Sequence, residues 1–155
     1  MRMAWSLRAL AMAVVALLVA SCASTPQAPR SRDTEAKAFE AYPGAATVYV
    51  YRSPFNHEDQ DSVLYIDGRL IGATLPGTYF KINVPPGRHT LHGTGVDIGQ
   101  ITLDMRPGTL YFVDLAVIAG HSRFQSVAPA EGRQQVVGCC VLLENWAPGQ
   151  RPLLR

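Results

Sequence analysis

The chain has 155 residues, of which 48% are hydrophobic and 17% are charged, and its formal net charge is +2. This length is enough for one folded domain with a modest core. The near-neutral charge, without a basic run, argues against a nucleic-acid-binding protein and against electrostatic binding to a membrane.

Residues 1–21 have the pattern of an export signal. Arg2 and Arg8 make a short positive region, and residues 9–20 form an apolar stretch too short to span a bilayer. The stretch ends in Val19-Ala20-Ser21-Cys22, which resembles the lipobox of bacterial lipoproteins. The resemblance implies cleavage before Cys22, a diacylglycerol on its sulfur and an acylated α-amine. The alternative is an ordinary secretory signal whose cleavage site lies near a cysteine.

Lipidation of Cys22 would place the chain on a membrane, since two or three acyl chains anchor stably. Ala23 follows the cysteine where an aspartate would retain a lipoprotein at the inner membrane. The resemblance therefore implies the outer membrane, facing the periplasm. Removal of residues 1–21 leaves 134 residues with 12 basic and 12 acidic side chains, so the formal charge of the mature chain is zero.

Residues 22–43 are predicted to be a flexible, lipidated tether. They are polar, contain prolines and have few large apolar side chains, a composition typical of linkers. One or two helical turns within residues 33–42 are an alternative, but that segment lacks an apolar face.

Residues 44–145 are predicted to form a single antiparallel β-sandwich, so that the fold class is all-β. Short segments with period-two alternation are separated by turn signals about every ten residues. The segment QQVVGCCVLLE is read as the last strand, and residues 146–155 as a C-terminal tail. We see no helices of the kind that a parallel α/β fold would need.

Asp67-Gly68 could belong to a loop that binds a metal or phosphate, or it could be only the turn of a hairpin. The dipeptide joins VLYI to RLIG, and such a context is the strongest short-range hairpin signal. A phosphate-binding loop would need several glycines that open a helix. The pattern therefore predicts a type I′ turn.

Residues 63–91 resemble the PEGA-type β-sandwich modules of bacterial surface proteins. The matching parts are Tyr65-Ile66-Asp67-Gly68, Ile71-Gly72, Tyr79-Phe80 and Pro86-Gly87-Arg88-His89. With YVYRSPF before them and PGTLYFVDL after them, the chain is similar to an uncharacterised family of small bacterial lipoproteins that carry a domain of unknown function. The resemblance covers about residues 44–145. It implies a fold and a compartment and no activity.

Catalytic and metal sites are weakly indicated. His89 and His92 lie three apart on a predicted strand and point to opposite faces, so they cannot share a metal. His57 lies among acidic residues in NHEDQD, which favours a solvated loop over a cation site. No nucleophile motif is present, and nothing selects a carboxylate pair from Asp97, Asp104 and Asp114. We predict no enzyme, no cofactor and no metal.

Cys139 and Cys140 are adjacent on the predicted last strand, and their side chains are expected to point to opposite faces. The favoured interpretation is two thiols, one buried and one accessible. The alternative is a strained disulfide between neighbours.

The predicted binding surface consists of Tyr49, Tyr51, Arg52 and Phe55. If Val48 and Val50 point inward, the tyrosines line the outer face, where aromatic and arginine side chains bind proteins or sugar rings. The alternative is that the tether or the edge of the second sheet covers this face. The sequence thus predicts an envelope lipoprotein that serves as a non-catalytic protein-interaction module, or alternatively one that binds peptidoglycan or another glycan.

Overall fold

The computed structural model describes residues 25–55, 62–93 and 99–144, which form two packed β-sheets with two helices over one of them. The elements in chain order are α1 (Arg30–Ala36), β1 (Ala46–Arg52), β2 (Ser62–Ile66), β3 (Arg69–Thr74), β4 (Thr78–Val84), β5 (Gly87–His92), β6 (Gln100–Met105), β7 (Leu110–Ile118), β8 (His121–Val127), α2 (Pro129–Cys139) and β9 (Val141–Leu142). The predicted signal peptide, Cys22, His57, Asp97 and the tail at 146–155 lie outside the described residues.

The sheet topology agrees with a β-sandwich but is not uniformly antiparallel. One sheet has the order β8-β7-β1-β4-β9, and the other has the order β3-β2-β5-β6. The prediction of a purely antiparallel fold is wrong at two places, because β1 pairs parallel with β7 and β4 pairs parallel with β9. The chain changes sheet after β1, β3, β4 and β6. As a result β7 returns to the first sheet in the same direction as β1.

The alternation predicted for β1 is present. Val48 and Val50 lie fully buried between the sheets, in a core with Leu64, Phe80 and Leu115. All seven residues of β1 are buried, because the helices cover the opposite face of this central strand.

The Asp67-Gly68 hairpin is confirmed. Asp67 and Gly68 have φ angles of 50° and 74°, as a type I′ turn requires, and they join β2 to β3. The Asp67 carboxylate accepts a hydrogen bond from the backbone N–H of Thr90 at 2.9 Å. The dipeptide is therefore a bend whose side chain holds the neighbouring strand β5.

The C-terminal part of the domain differs from the prediction. Residues 129–139, read from the sequence as a turn followed by a strand, form α2, and only Val141 and Leu142 form β9. Pro129 occupies the first turn of this helix together with Glu131, a favourable placement for both residue types. Gly132 brings α2 against the ring of Phe112.

The segment predicted as a flexible tether packs on the sandwich from Thr25 onward. The backbone N–H of Ala28 donates to the carbonyl of Leu142 at 2.9 Å, and the hydroxyl of Thr25 accepts from the backbone N–H of Ala73 at 2.7 Å. Ala36 of α1 is buried. In the described part of the chain, neither helix has the length and apolar character needed to cross a membrane.

Candidate functional site

The predicted surface of Tyr49, Tyr51, Arg52 and Phe55 does not exist as one exposed site. Tyr49 and Arg52 are 0% exposed and Tyr51 is 3% exposed, whereas Phe55 is 84% exposed. The prediction that the first three line an open face is wrong. The alternative holds in part, because the segment expected to be a tether folds over this face together with α2.

The buried tyrosines form an aromatic layer beneath the helices. The Tyr49 ring stacks on Phe112 at 5.0 Å, contacts Phe39 at 5.2 Å, and donates its hydroxyl to the carbonyl of Ala36 at 2.7 Å. Burial raises the pKa of Tyr49. Burial also raises the pKa of Tyr51, to about 12, and the negative charges of the nearby Asp114 and Glu131 carboxylates add to this effect. These phenols stay protonated at neutral pH, so their role in the structure is packing and hydrogen bonding.

Asp33 on α1 ties the N-terminal segment to the sheet. Its carboxylate accepts hydrogen bonds from the Tyr79 hydroxyl, from the backbone N–H of Leu142 and from the Lys37 ammonium, each at 2.9 Å. Burial alone would raise the pKa of Asp33, but these hydrogen bonds outweigh it and hold that pKa below its ordinary value. Lys37 also donates to the carbonyl of Cys140 at 2.7 Å.

Asp33→Asn is expected to lower the free energy of unfolding by about 1–2 kcal/mol at neutral pH, because hydrogen bonds to the charged carboxylate are lost. The folded-state pKa of Asp33 is lowered, so its contribution is present above the ordinary carboxyl pKa and is lost as the pH falls through the folded-state value. The difference between parent and variant should therefore narrow from neutral pH toward about pH 3. Urea unfolding at a series of pH values measures the difference in the free energy of unfolding between parent and variant.

Asp104→Asn is the matched control, since Asp104 is an exposed residue of β6, and it should leave stability unchanged. A difference between parent and Asp33→Asn that stays constant with pH would contradict the role given to the carboxylate charge.

Cys139 and Cys140 form a disulfide between adjacent residues. The favoured prediction of two thiols is wrong, and so is their placement on a strand. Cys139 ends α2 and Cys140 precedes β9, so the bond lies at a junction and interrupts no strand ladder. Cys140 is buried next to the carbonyl of Arg52.

The described histidines and carboxylates do not converge on one site. His89 lies between the Asp67 carboxylate, 2.6 Å from Nδ1, and the Pro85 carbonyl, 2.8 Å from Nε2, while His92 stacks on Tyr65. Asp104 is exposed on the four-stranded sheet, and Asp114 lies on the helix-covered face of the other sheet. Across residues 25–55, 62–93 and 99–144, no three His, Cys, Asp or Glu side chains are close enough to hold a metal.

A polar groove of about 190 Å³ runs between α1 and β4. Arg32, Glu35, Lys81 and Asn83 line it. Arg32 is paired with Glu144 at 2.8 Å, and Asn83 accepts a hydrogen bond from the Thr47 hydroxyl at 2.7 Å. The groove is thus a charged surface depression in which Arg32 and Asn83 are held by neighbouring side chains.

Three exposed apolar residues belong to chain segments that come together near one turn, a place that the sequence did not indicate. We call Phe55, Leu75 and Val141 the Gly77 rim, because each lies on a chain segment that is close to the turn at Gly77. The backbone N–H of Gly77 donates to the carbonyl of Arg52 at 2.8 Å, and its own carbonyl accepts from Val141 N–H at 3.0 Å. Pro76-Gly77 is a turn signal in the sequence, but the proximity of this turn to Phe55 and Val141 follows from the pairing of β4 with β1 and with β9 in one sheet.

The sheet edges differ on the two sides of the sandwich. On one side residues 25–28 cover the edges, because Gln27 bridges Leu143 beside β9 and Thr25 contacts Ala73 of β3. On the other side are β6 and β8, and within the described residues each has a single ladder partner, β5 and β7 respectively. Among the described residues, the edge strands with one ladder partner therefore lie opposite the N-terminal segment, where β6 and β8 pass close to each other.

Comparison with known proteins identifies relatives of unknown role. A family model described as "Protein of unknown function (DUF2846)" matches residues 42–130. An uncharacterized protein of Haemophilus influenzae is similar to this chain, with 28% identity over 129 residues, 79% of this chain and 76% of the relative. No solved structure matches the chain.

Proposed function

The chain belongs to the DUF2846 family, whose function is unknown, and on that premise we propose that it is a lipid-anchored envelope lipoprotein that binds an extended segment of a protein partner along β8. Its anchor is the lipid on Cys22, its location is the outer membrane facing the periplasm, and the domain is non-catalytic. The observation that carries the binding role is that β8 ends its sheet and, within the described residues, has β7 as its single ladder partner, since an edge strand offers backbone groups for the addition of another strand.

The hairpin before β8 indicates which backbone groups are available. Ala119 and Gly120 form a two-residue turn, so the flanking pair Ile118 and His121 exchanges hydrogen bonds. The alternation along an antiparallel ladder then directs the N–H groups of Phe124 and Ser126 away from β7. A partner strand would pair with these groups.

The glycan alternative depended on an exposed row of tyrosines. Tyr49 and Tyr51 are buried, so that surface is not available to a sugar ring. The protein partner is therefore the function that we put to the test.

Ser126→Pro is expected to weaken partner binding about tenfold while the domain stays folded. Proline removes one outward N–H, whose hydrogen bond contributes roughly 0.5–1.5 kcal/mol, and its ring obstructs an incoming strand. A photo-cross-linking amino acid at position 125, in intact cells, would report the yield of a discrete protein adduct. Ser126→Ala is the matched control, because it keeps the N–H, and it should keep the adduct.

An equal adduct yield in Ser126→Pro and Ser126→Ala would contradict binding along β8. Recovery of glycan fragments alone would contradict a protein partner altogether. The melting temperatures of both variants verify that the domain is intact.

A further inference from the structure

The covalent distance between the proposed anchor and the folded domain is short. Thr25 is docked on β3 through its hydrogen bond with Ala73, and only Ala23 and Ser24 separate it from Cys22. Three residue steps of extended chain span at most about 11 Å. A lipid on Cys22 would therefore hold this side of the sandwich at the bilayer surface, rather than at the end of a 22-residue tether.

The Gly77 rim lies next to that docking point. Leu75 follows Ala73 by two residues, which is about 7 Å of extended chain. The backbone N–H of Val141 donates a hydrogen bond to the carbonyl of Gly77. Phe55 follows Pro54, whose Cβ lies 3.9 Å from the position that a Cβ on Gly77 would take. All three residues are exposed: Phe55 by 84%, Leu75 by 46% and Val141 by 37%.

We propose that the Gly77 rim is a membrane-contact surface, in which Phe55, Leu75 and Val141 enter the lipid headgroup region beside the anchor. This inference rests on the proposed lipidation of Cys22. The mature chain has no net formal charge to attract it to an anionic bilayer, and the three exposed side chains of the rim are apolar, so this surface offers lipid an apolar contact. Contact on this side leaves β6 and β8 directed away from the bilayer.

The test places a tryptophan beyond either end of β1 in the lipidated protein. Phe55→Trp reports on the rim, and Tyr42→Trp is the matched control, since Tyr42 is exposed and precedes the opposite end of this seven-residue strand. The strand between the two sites is about 20 Å long. Each protein is purified with its native lipid and reconstituted in phosphatidylethanolamine–phosphatidylglycerol vesicles that carry brominated acyl chains, and the unsubstituted protein supplies the background of Trp146.

We expect bromine to quench Phe55→Trp at least about twofold more strongly than Tyr42→Trp, because an interfacial side chain lies about 5–10 Å into the headgroup boundary. Phe55→Ser together with Leu75→Ser should lower the quenching of the tryptophan in Val141→Trp.

Equal quenching at positions 55 and 42 in protein whose mass shows acylated Cys22 would overturn the membrane contact and leave the lipoprotein proposal standing. If the tryptophan of Phe55→Trp is shielded from water and bromine does not quench it, this chain or a second copy of it covers the rim, which also overturns the membrane contact. A mass without acyl chains would overturn both proposals.

Discussion

Replacing Gly132 by alanine is expected to destabilise the domain by about 1–3 kcal/mol or more, which is the usual cost of forcing extra atoms into a packed core. A Cβ at this position would lie within the van der Waals radii of the Phe112 side chain, closer than real contacts allow. Phe112 is buried and stacks on Tyr49, so it has little room to move. The helix α2 would have to lift from the sheet, and thermal unfolding measures the cost.

Gly138→Ala is a matched control within the same helix. A Cβ at Gly138 meets nothing within 4 Å, so alanine there should stabilise α2 slightly through its higher helix propensity, by up to about 1 kcal/mol. Phe112→Leu combined with Gly132→Ala should cost less than the sum of the two single changes, because the smaller side chain makes room. Equal melting temperatures for Gly132→Ala and Gly138→Ala would contradict the close packing of α2 on Phe112.

Sequence patterns predicted correctly those features of the strands that depend on neighbouring residues in the chain. The period-two alternation of β1 correctly directed Val48 and Val50 to the core between the sheets. The Asp67-Gly68 dipeptide correctly predicted its hairpin, because positive φ angles at both turn positions depend on those two residues alone. Neither signal contains information about which distant strand lies beside β1.

The last helix was missed because its sequence carries little periodicity. A continuous apolar run such as VVGCCVLL fits a buried strand or a buried helix, and flanking residues have to decide between them. Pro129 and Glu131 were the available helix-start signals, but Gly132 suggested a turn instead. The structure explains the glycine differently: a side chain at position 132 would collide with Phe112, so glycine is needed for α2 to pack against the sheet.

The candidate site could not be read from β1 alone. The sequence placed Tyr49 and Tyr51 correctly on the face opposite the valines, but whether that face is open depends on residues 25–39 and on α2. The polar composition around Asp33 favoured a tether, whereas Asp33 and Lys37 use their charges to bind the sheet and the carbonyl of Cys140. Polar residues that find buried partners are indistinguishable, in sequence, from polar residues that stay in water.

Cys22→Ala is expected to abolish acylation completely and to release the protein from membranes. Cys22 lies outside the described residues, and its role is inferred from Val19-Ala20-Ser21-Cys22 after an apolar stretch. The sulfur is the atom that would carry the diacylglycerol, and alanine offers no equivalent. Labelling with a palmitate analogue, followed by membrane fractionation, measures both effects.

The matched control is the double variant Cys139→Ser and Cys140→Ser, which removes the other two cysteines of the chain and should keep both the label and the membrane location. If parent and Cys22→Ala both remain as an unprocessed precursor of the same mobility, the lipobox interpretation is wrong. Since Thr25 is docked on β3 only three residues after the cysteine, loss of the lipid should also free the Gly77 rim from the bilayer while the fold is unchanged. The melting temperature of Cys22→Ala should then equal that of the parent, which separates the role of the anchor from the stability of the domain.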